Sequence, residues 1–300
     1  MRLLITGANG LLGQKLSSLL QNRGIDFLAT SKAVNRNPEL SDPFFKSLDV
    51  TNLEELTEIV RDCKPSAIIN TAAMTNVDQC EHDRDGCWRM NVTAVENLIQ
   101  TCQRFQAKLI HLSTDFIFDG LNGPYSEEDE PNPVSYYGES KLEGERLIQE
   151  SGIDWAIIRT ILVYGVTPNM SRSNIILWVK ESLEEGKRLK IVNDQWRTPT
   201  LAEDLAAGCW LVAENDGKGI FHISGNEMLT PFEMAWKTAE FFNLDSSLIE
   251  MVDSTTFSQP AKRPPKTGFE IKKAKEVLGY VPHSFEEGLS ILKSQLEKVV

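Results

Sequence analysis

The segment that most constrains the fold lies at the N-terminus, where an apolar run passes directly into a glycine-rich turn. Arg2 to Thr6 reads Arg-Leu-Leu-Ile-Thr, which is typical of a buried strand. Glycines follow at positions 7, 10 and 13, and leucines then recur at helical spacing. Such a turn lets the backbone approach a pyrophosphate, which the first amides of the next helix also attract. This order predicts a dinucleotide-binding α/β fold.

Strand and helix patterns alternate through the first half of the chain. Apolar strands are expected at 26–30, 44–50, 67–70, 108–113 and 155–159, with helical patterns between them. The alternation predicts a Rossmann-like, doubly wound parallel sheet, whose ligands bind beyond the carboxyl ends of its strands. After about residue 165 the pattern becomes mixed. We therefore expect a Rossmann domain at 1–165 and a smaller α/β substrate-binding lobe at 166–300, with 201–214 packing back on the first domain.

Composition excludes several classes of function. The net charge of −12 argues against binding nucleic acid or an anionic membrane through bulk electrostatics. The 5 cysteines are widely spaced without a Cys-x-x-Cys pair, so we expect free thiols and no metal site of cysteines. No apolar stretch is long enough to span a membrane, and the chain begins with a strand rather than a signal peptide. These features predict a cytoplasmic protein.

Tyr137 and Lys141 are the candidate catalytic pair. Their spacing of four residues places both side chains on one face of a helix, about one turn apart. A phenol normally keeps its proton up to pH ~10, and a nearby ammonium lowers that pKa. A tyrosine adjusted in this way can exchange a proton near neutrality, which is general acid–base catalysis.

Polar residues follow two of the expected strands. In the run Ser113-Thr114-Asp115, a hydroxyl at the strand end can hydrogen-bond a substrate carbonyl and polarise it. Small residues after Asn70 would let a cofactor pass close to the backbone. Asn91 lies inside a helix expected at 83–105, where Asn is a poor helix former. We expect it either to relay protons or hold Lys141 through water, or else to be a surface residue.

The end of the second strand predicts the cofactor. An NAD-selective site usually has an acidic residue there, whereas this chain has Ser31 and Lys32, with Arg36 close behind. A hydroxyl and two cations favour a 2′-phosphate, so we expect an NADP(H)-binding domain, with NAD(H) as the alternative. The candidate cofactor-binding residues are Gly7, Asn9, Gly10, Leu11, Leu12, Gly13, Ser31, Lys32, Arg36, Asp49, Val50, Thr71, Ala72, Ala73, Asn91, Tyr137 and Lys141.

His111 alternates with apolar neighbours in the strand expected at 108–113. That position favours a packed or half-buried histidine over a catalytic one.

The chain resembles the dTDP-4-dehydrorhamnose reductases of the extended short-chain dehydrogenase/reductase superfamily. The resemblance covers nearly the whole chain, and the Ser-Thr-Asp run followed by Tyr-x-x-x-Lys is specific to the sugar-nucleotide branch. The residues that carry it are Gly7 to Gly13, Asn70 to Ala73, Val77 to Glu81, Ser113 to Gly120, Tyr137 to Glu145, Arg263-Pro264 and Leu278-Gly279.

This resemblance implies a reaction and roles. Hydride would pass from NADPH to the 4-keto carbon of a nucleotide-linked deoxysugar, as in dTDP-rhamnose synthesis. Tyr137 would donate a proton, and Lys141 would lower the pKa of Tyr137 and bind the nicotinamide ribose. Thr114, with Ser113, would orient the substrate carbonyl, and Asp115 would support the site.

The resemblance also bears on partners. Arg263 would contact the pyrophosphate of the nucleotide-sugar substrate, and a homodimer is compatible with the family. A divalent ion such as Mg²⁺ assists some members at a dimer interface, but no ligand pattern in this sequence indicates one.

Two alternatives stay open at this point. Residues 159–165 lack the Trp that the reductases typically carry, and 194–200 and 224–227 resemble the regulatory β subunit of methionine adenosyltransferase. That protein shares the fold and binds NADP as a non-catalytic partner. An epimerase or dehydratase of nucleotide sugars is the second alternative, although the missing acid after the second strand argues against its usual NAD.

Overall fold

The computed structural model describes residues 1–170 and 172–299; Ser171 and Val300, both in the predicted second lobe, lie outside the described residues. The strands are β1 Arg2–Thr6, β2 Asp26–Ser31, β3 Phe45–Ser47, β4 Ala67–Asn70, β5 Lys108–Thr114, β6 Trp155–Thr160, β7 Val163–Tyr164, β8 Leu189–Val192, β9 Thr200–Leu201, β10 Gly219–His222 and β11 Ile249–Val252. The helices are α1 Leu11–Asn22, α2 Leu53–Cys63, α3 Val77–His82, α4 Arg84–Trp88, α5 Ala94–Phe105, α6 Tyr136–Glu150, α7 Ile175–Glu184, α8 Ala202–Glu214, α9 Pro231–Phe241, α10 Lys272–Leu278 and α11 Phe285–Val299.

A seven-stranded parallel sheet organises the molecule, with the order β10-β6-β5-β4-β1-β2-β3. The register places Ile5 of β1 between Ala29 of β2 and Ile69 of β4. Chain order reverses between β1 and β4, so the loops that leave these two strands open a crevice at their carboxyl ends. The predicted doubly wound parallel sheet is confirmed.

Side-chain alternation along β1 explains the two helical layers. Leu3 and Ile5 are fully buried on one face, in the same cluster as Leu16 of α1. Leu4 points to the opposite face and joins Leu56 of α2 in a second cluster. Because successive strand residues face opposite sides, an uninterrupted apolar run requires cover on both. Each fully buried leucine contributes about 1.5–3 kcal/mol to folding.

The second half of the chain contributes both to a separate strand pair and to the main sheet. Strands β8 and β11 form a separate parallel pair, which α7 and α9 contact. Strand β10 instead pairs with β6 at the edge of the main sheet, and α8 packs on α1. The division of the chain at residue 165 stays a prediction.

One expected helix is interrupted. The pattern at 83–105 predicts a single helix, whereas the structure has α4 and α5 joined by a π-helical segment, Arg89–Thr93. Asp83 begins α4 by accepting a hydrogen bond from the Gly86 amide at 2.9 Å. A π segment of this kind is often found at a functional site, and here it carries Asn91.

Candidate functional site

The glycine-rich turn fits closely against the loop that follows β4. The Gly10 amide donates to the Gly7 carbonyl at 3.0 Å, and α1 begins at the next residue. A Cβ on Gly13 would lie 2.5 Å from the Gly7 carbonyl oxygen, and one on Gly7 would lie 2.7 Å from the Ala72 nitrogen. The turn can therefore hold only glycine at these two positions. This cradle fits a dinucleotide pyrophosphate.

Replacing Gly7 with Ala should destabilise the fold more than the same change at Gly24. Gly7 has φ 73° and Gly24 has φ 66°, but nothing lies within 4 Å of a Cβ at Gly24. Gly24→Ala therefore isolates the backbone strain, at about 1 kcal/mol. Gly7→Ala adds the clash with Ala72, about 1–3 kcal/mol more. Urea denaturation measures both variants, and equal losses of unfolding free energy would contradict the predicted clash.

Asn9 ties the turn to the loop after β2. Its Nδ2 donates to the Val34 carbonyl at 2.8 Å, and its Oδ1 accepts from the Arg36 amide at 2.9 Å. Lys32 follows the end of β2 and pairs with Asp49, with Nζ 2.7 Å from Oδ2. The structure thus places the predicted cation next to a carboxylate from the loop after β3. A 2′-phosphate would have to compete with Asp49 for Lys32.

The loop after β4 lies on the other side of the crevice. The Thr71 hydroxyl donates to the Thr6 carbonyl at 2.6 Å, which holds this loop against the end of β1. Thr71, Ala72 and Ala73 are each half-buried, so this loop is partly accessible to solvent. Val50 is 4 % exposed and belongs to the hydrophobic core rather than to the crevice surface.

Tyr137 lies on the first turn of α6, where it is 7 % exposed. Its ring packs edge-on against Phe116, with ring centroids 5.6 Å apart. Burial raises the pKa of Tyr137 well above its ordinary value, and a hydrogen bond with Thr114 only partly opposes this. The sequence led us to expect a pKa lowered by Lys141. The structure corrects that expectation. Burial dominates the pKa of Tyr137, and the Lys141 amino group contacts other residues instead.

Lys141 is 2 % exposed, one turn after Tyr137. Its Nζ donates to the Leu112 carbonyl at 2.6 Å and lies 3.0 Å from His111 Nε2. Burial lowers the pKa of Lys141 to about 8, against the opposing effect of the acidic groups of Glu145 and Cys87. A lysine with this pKa titrates close to neutral pH.

His111 and Asn70 form a hydrogen-bond chain that the sequence did not indicate. His111 is 1 % exposed, so the expected packed histidine is present, yet both ring nitrogens have polar partners. His111 Nδ1 lies 3.0 Å from Asn70 Nδ2, and Asn70 Oδ1 accepts from the Thr6 hydroxyl at 2.5 Å. The chain therefore runs from β1 through β4 and β5 to Lys141 on α6. Its only signal in the sequence is a polar residue on each of three apolar strands.

Thr114 and Asp115 stand at the carboxyl end of β5. The Thr114 hydroxyl donates to Asp115 Oδ1 at 3.0 Å and accepts from the Phe116 amide at 3.2 Å. Asp115 also accepts from the Thr267 hydroxyl at 2.5 Å and lies 3.7 Å from Arg197 Nε. Burial raises the pKa of Asp115, while Arg197 opposes that rise. The Asp115 carboxylate thus holds the Thr114 hydroxyl, and its supporting role in catalysis stays a prediction.

The Ser113 hydroxyl is buried and has no hydrogen-bond partner among the described residues. A buried hydroxyl without a partner costs free energy unless something else satisfies it. Ser113 is therefore the predicted substrate-binding residue whose hydrogen-bonding capacity the chain itself leaves unused.

Asn91 is 1 % exposed, so the surface alternative is wrong. Its Oδ1 accepts from the Met74 amide at 2.9 Å, while its Nδ2 donates to the Met74 carbonyl at 3.1 Å and to the Ser140 hydroxyl at 3.0 Å. Asn91 therefore links the loop after β4 to α6, one residue before Lys141. Contact with a cofactor stays a prediction.

Arg263 is already engaged within the chain. Its guanidinium makes two hydrogen bonds to Asp78, at 2.9 and 2.6 Å, and donates to the Ala261 carbonyl at 2.8 Å. Two motifs of the resemblance thus meet here, because Asp78 belongs to the run 77–81. The predicted pyrophosphate contact would have to use the remaining donors of Arg263.

Comparison with known proteins decides the family. The family described as RmlD substrate binding domain matches residues 1–297. The chain belongs to this family. The sequence resembles both the dTDP-4-dehydrorhamnose reductases and the regulatory subunit of methionine adenosyltransferase. Both resemblances are confirmed.

Individual relatives of this RmlD-family chain include both a regulatory subunit and reductases. Methionine adenosyltransferase 2 subunit beta of Rattus norvegicus is 34 % identical over 284 residues, 93 % of this chain and 82 % of that protein. The probable low-salt glycan biosynthesis reductase Agl14 of Haloferax volcanii is 30 % identical over 292 residues, 97 % of this chain and 96 % of that protein. The dTDP-4-dehydrorhamnose reductase of Bacillus anthracis, solved in complex with NADP, superposes with a TM-score of 0.86 at 29 % identity over 98 % of this chain and 99 % of that chain.

Within residues 1–170 and 172–299, no group of three or more His, Cys, Asp and Glu side chains is arranged to bind a metal ion. The same residues contain no helix with the length and apolarity that crossing a bilayer requires.

Proposed function

We propose that the protein reduces the 4-keto group of a nucleoside-diphosphate 6-deoxysugar with NADPH. The observation that carries this proposal is that Tyr137 and Lys141 of α6 both contact the carboxyl end of β5, where Tyr137 is hydrogen-bonded with Thr114 and Lys141 donates to the Leu112 carbonyl. A buried phenol, a fixed hydroxyl and a lysine amine are the groups that a carbonyl reduction needs.

Each residue has a role in this proposal. Bound in the cradle, NADPH supplies the hydride. Thr114 and Ser113 hold the substrate carbonyl, and Tyr137 delivers the proton to the oxygen that becomes a hydroxyl. Because burial raises the pKa of Tyr137, the phenol keeps its proton at neutral pH and is available as the donor. The buried position of Tyr137 and Lys141 also excludes water from the transfer.

The decisive experiment is NADPH oxidation by the purified protein with dTDP-4-keto-6-deoxymannose. The expected result is turnover that depends on both the nucleotide sugar and the cofactor. A chain that binds NADPH but gives no turnover with this or another nucleoside-diphosphate 4-keto sugar would refute the proposed reaction.

The cofactor preference has its own test. We expect a lower Kd for NADPH than for NADH, because Lys32 and Arg36 follow β2 and their positive charges favour a 2′-phosphate. Lys32→Ala should reduce the preference by about tenfold, the loss of one partly solvated charge contact. Lys46→Ala, an exposed lysine on the neighbouring β3, is the control and should leave the ratio unchanged. Tighter binding of NADH by the wild type would contradict the preference.

A second function is favoured by one specific observation. The 34 % identity to the rat methionine adenosyltransferase subunit extends over 93 % of this chain. In this alternative the protein binds NADP and regulates a partner enzyme without reducing a sugar. Stable co-purification with a methionine adenosyltransferase catalytic subunit, together with no keto-sugar turnover, is the outcome that would favour it.

A further inference from the structure

The first turn of α6 carries Tyr137 and packs tightly on one side against the segment after β5. A Cβ on Gly138 would collide with the Phe116 carbonyl oxygen, so the two backbones are in direct contact. Ser135 begins the helix by accepting a hydrogen bond from the Gly138 amide at 3.3 Å. This cap leaves the Tyr136 amide without a partner from α6, since the first four N–H groups of a helix have no acceptor within it.

Glu81 of α3 supplies the missing acceptor. Its Oε1 accepts from the Tyr136 amide at 2.8 Å, and its Oε2 accepts from Arg84 Nη2 at 2.9 Å. The Arg84 guanidinium also lies over the Tyr136 ring, 4.7 Å from the ring centroid. A carboxylate that accepts from a backbone N–H at a helix N-terminus makes a strong, charge-assisted hydrogen bond. Glu81 and Arg84 therefore hold both the backbone and the ring of the residue that precedes Tyr137.

Helix α3 is itself anchored, so Glu81 has a fixed position. Asn76 caps this helix by accepting from the Gln79 amide at 3.2 Å. Asp78 accepts two hydrogen bonds from Arg263 in the second half of the chain. The Glu81 side chain is only 17 % exposed. A side chain that is both anchored and largely buried can determine where a neighbouring group lies, because its own rotamers are restricted.

We propose that Glu81 is a positioning residue that fixes the first turn of α6 and thereby the Tyr137 hydroxyl beside Thr114. This proposal rests on the proposed reductase function, in which Tyr137 is the proton donor. Tyr137 directly follows the residue whose amide Glu81 holds, so loosening that amide moves the phenol relative to Thr114. Proton transfer is sensitive to such a shift, since a misplacement of about 1 Å can reduce a rate by about 10²-fold. Glu81 acts through the Tyr136 backbone and not on the substrate itself.

Negative charge near a helix N-terminus stabilises the helix even without a contact, so the charge of Glu81 and its hydrogen bond must be separated. Glu139 allows this separation, because it is an exposed acidic residue in the first turn of the same helix. Glu139→Ala removes one negative charge from this terminus and leaves the hydrogen bond between Glu81 and the Tyr136 amide in place. It should keep kcat within about twofold of the wild type, since an exposed charge at a helix terminus contributes little.

Two substitutions at Glu81 test the proposal by kinetics. Glu81→Ala removes both the acceptor and the charge, whereas Glu81→Gln loses the charge but keeps an acceptor oxygen for the Tyr136 amide. We expect Glu81→Ala to lower kcat for keto-sugar reduction by about tenfold or more, with KM changed by less than about threefold, because a hydrogen bond to a charged group is lost away from the substrate. Glu81→Gln should recover kcat to within about threefold of the wild type. A wild-type kcat in Glu81→Ala, or a kcat in Glu81→Gln as low as that of Glu81→Ala, would overturn the proposal.

Amide hydrogen exchange, followed by mass spectrometry, tests the anchoring of α6 without turnover. The Tyr136 amide should be protected in the wild type and exchange at least about tenfold faster in Glu81→Ala, while α9 in the second half of the chain keeps its rate. Glu81→Gln and Glu139→Ala should stay within about threefold of the wild-type rate. An unprotected Tyr136 amide in the wild type would overturn the proposal, even where Glu81→Ala does not fold. A wild type with the expected exchange but no keto-sugar turnover would refute the reductase function and leave the anchoring of α6 by Glu81 confirmed.

Discussion

Tyr137→Phe should lower kcat for the proposed NADPH-dependent keto-sugar reduction by about 10²–10⁴-fold while leaving NADPH binding intact. The phenol is the group placed to deliver a proton, and loss of a general acid typically has this effect. The phenyl ring keeps the edge-on packing against Phe116, so the fold should be preserved. Steady-state kinetics measure the loss, and fluorescence titration measures the Kd for NADPH.

Tyr136→Phe is the control for this variant. Tyr136 is the preceding residue on α6, and its ring packs near Trp88 and under the Arg84 guanidinium, 4.7 Å from the ring centroid. Removing its hydroxyl should change kcat by less than about twofold, because these contacts involve the ring. Equal losses for Tyr136→Phe and Tyr137→Phe would remove the catalytic role from Tyr137.

Glu145→Ala should destabilise the protein by about 3–5 kcal/mol, the usual effect of removing one partner of a buried ion pair. Glu145 is fully buried, and its carboxylate accepts hydrogen bonds from Arg159 Nε at 3.1 Å and Nη2 at 2.7 Å. Without it, the Arg159 guanidinium loses the carboxylate that balances its charge in the core, beside the Phe118 ring. Urea denaturation followed by circular dichroism measures the change.

Glu143→Ala gives the comparison on the same helix. Glu143 pairs with Arg146, whose side chain is 51 % exposed, and a pair of that kind contributes about 0–1 kcal/mol. The large difference between positions 143 and 145 is the expected result. If Glu145→Ala lost no more stability than Glu143→Ala, the predicted cost of leaving Arg159 buried without its carboxylate would be contradicted.

The sheet and the cofactor turn were predictable because their signals are local. The apolar run 2–6, the glycines after it and the alternation of strand and helix patterns each depend on neighbouring residues, and the structure confirms the sheet that they predict. Boundaries were less accurate. Strand β3 ends before Asp49, and the helix expected at 83–105 contains a π segment that no pattern in the sequence indicates.

The partners within the site could not be predicted, because they join distant parts of the chain. Arg263 and Asp78 are 185 residues apart, and the Thr267 hydroxyl reaches Asp115 across 152. The pattern around His111 predicted burial but contained nothing about Lys141 or Asn70. The spacing of Tyr137 and Lys141 indicated a shared helix face, yet burial of both groups sets their pKa values. Burial of that kind depends on the whole fold rather than on spacing.

Strand β10 has a consequence for how such proteins can be recombined. It comes from the second half of the chain but completes the edge of the sheet beside β6. A cut at residue 165 would leave the backbone groups of β6 unpaired on that side, and an uncovered edge invites pairing with another chain. An exchanged substrate lobe would therefore have to bring its own matching strand. Diversification of substrate choice on this scaffold is then expected through changes within the lobe, rather than by shuffling it as a module.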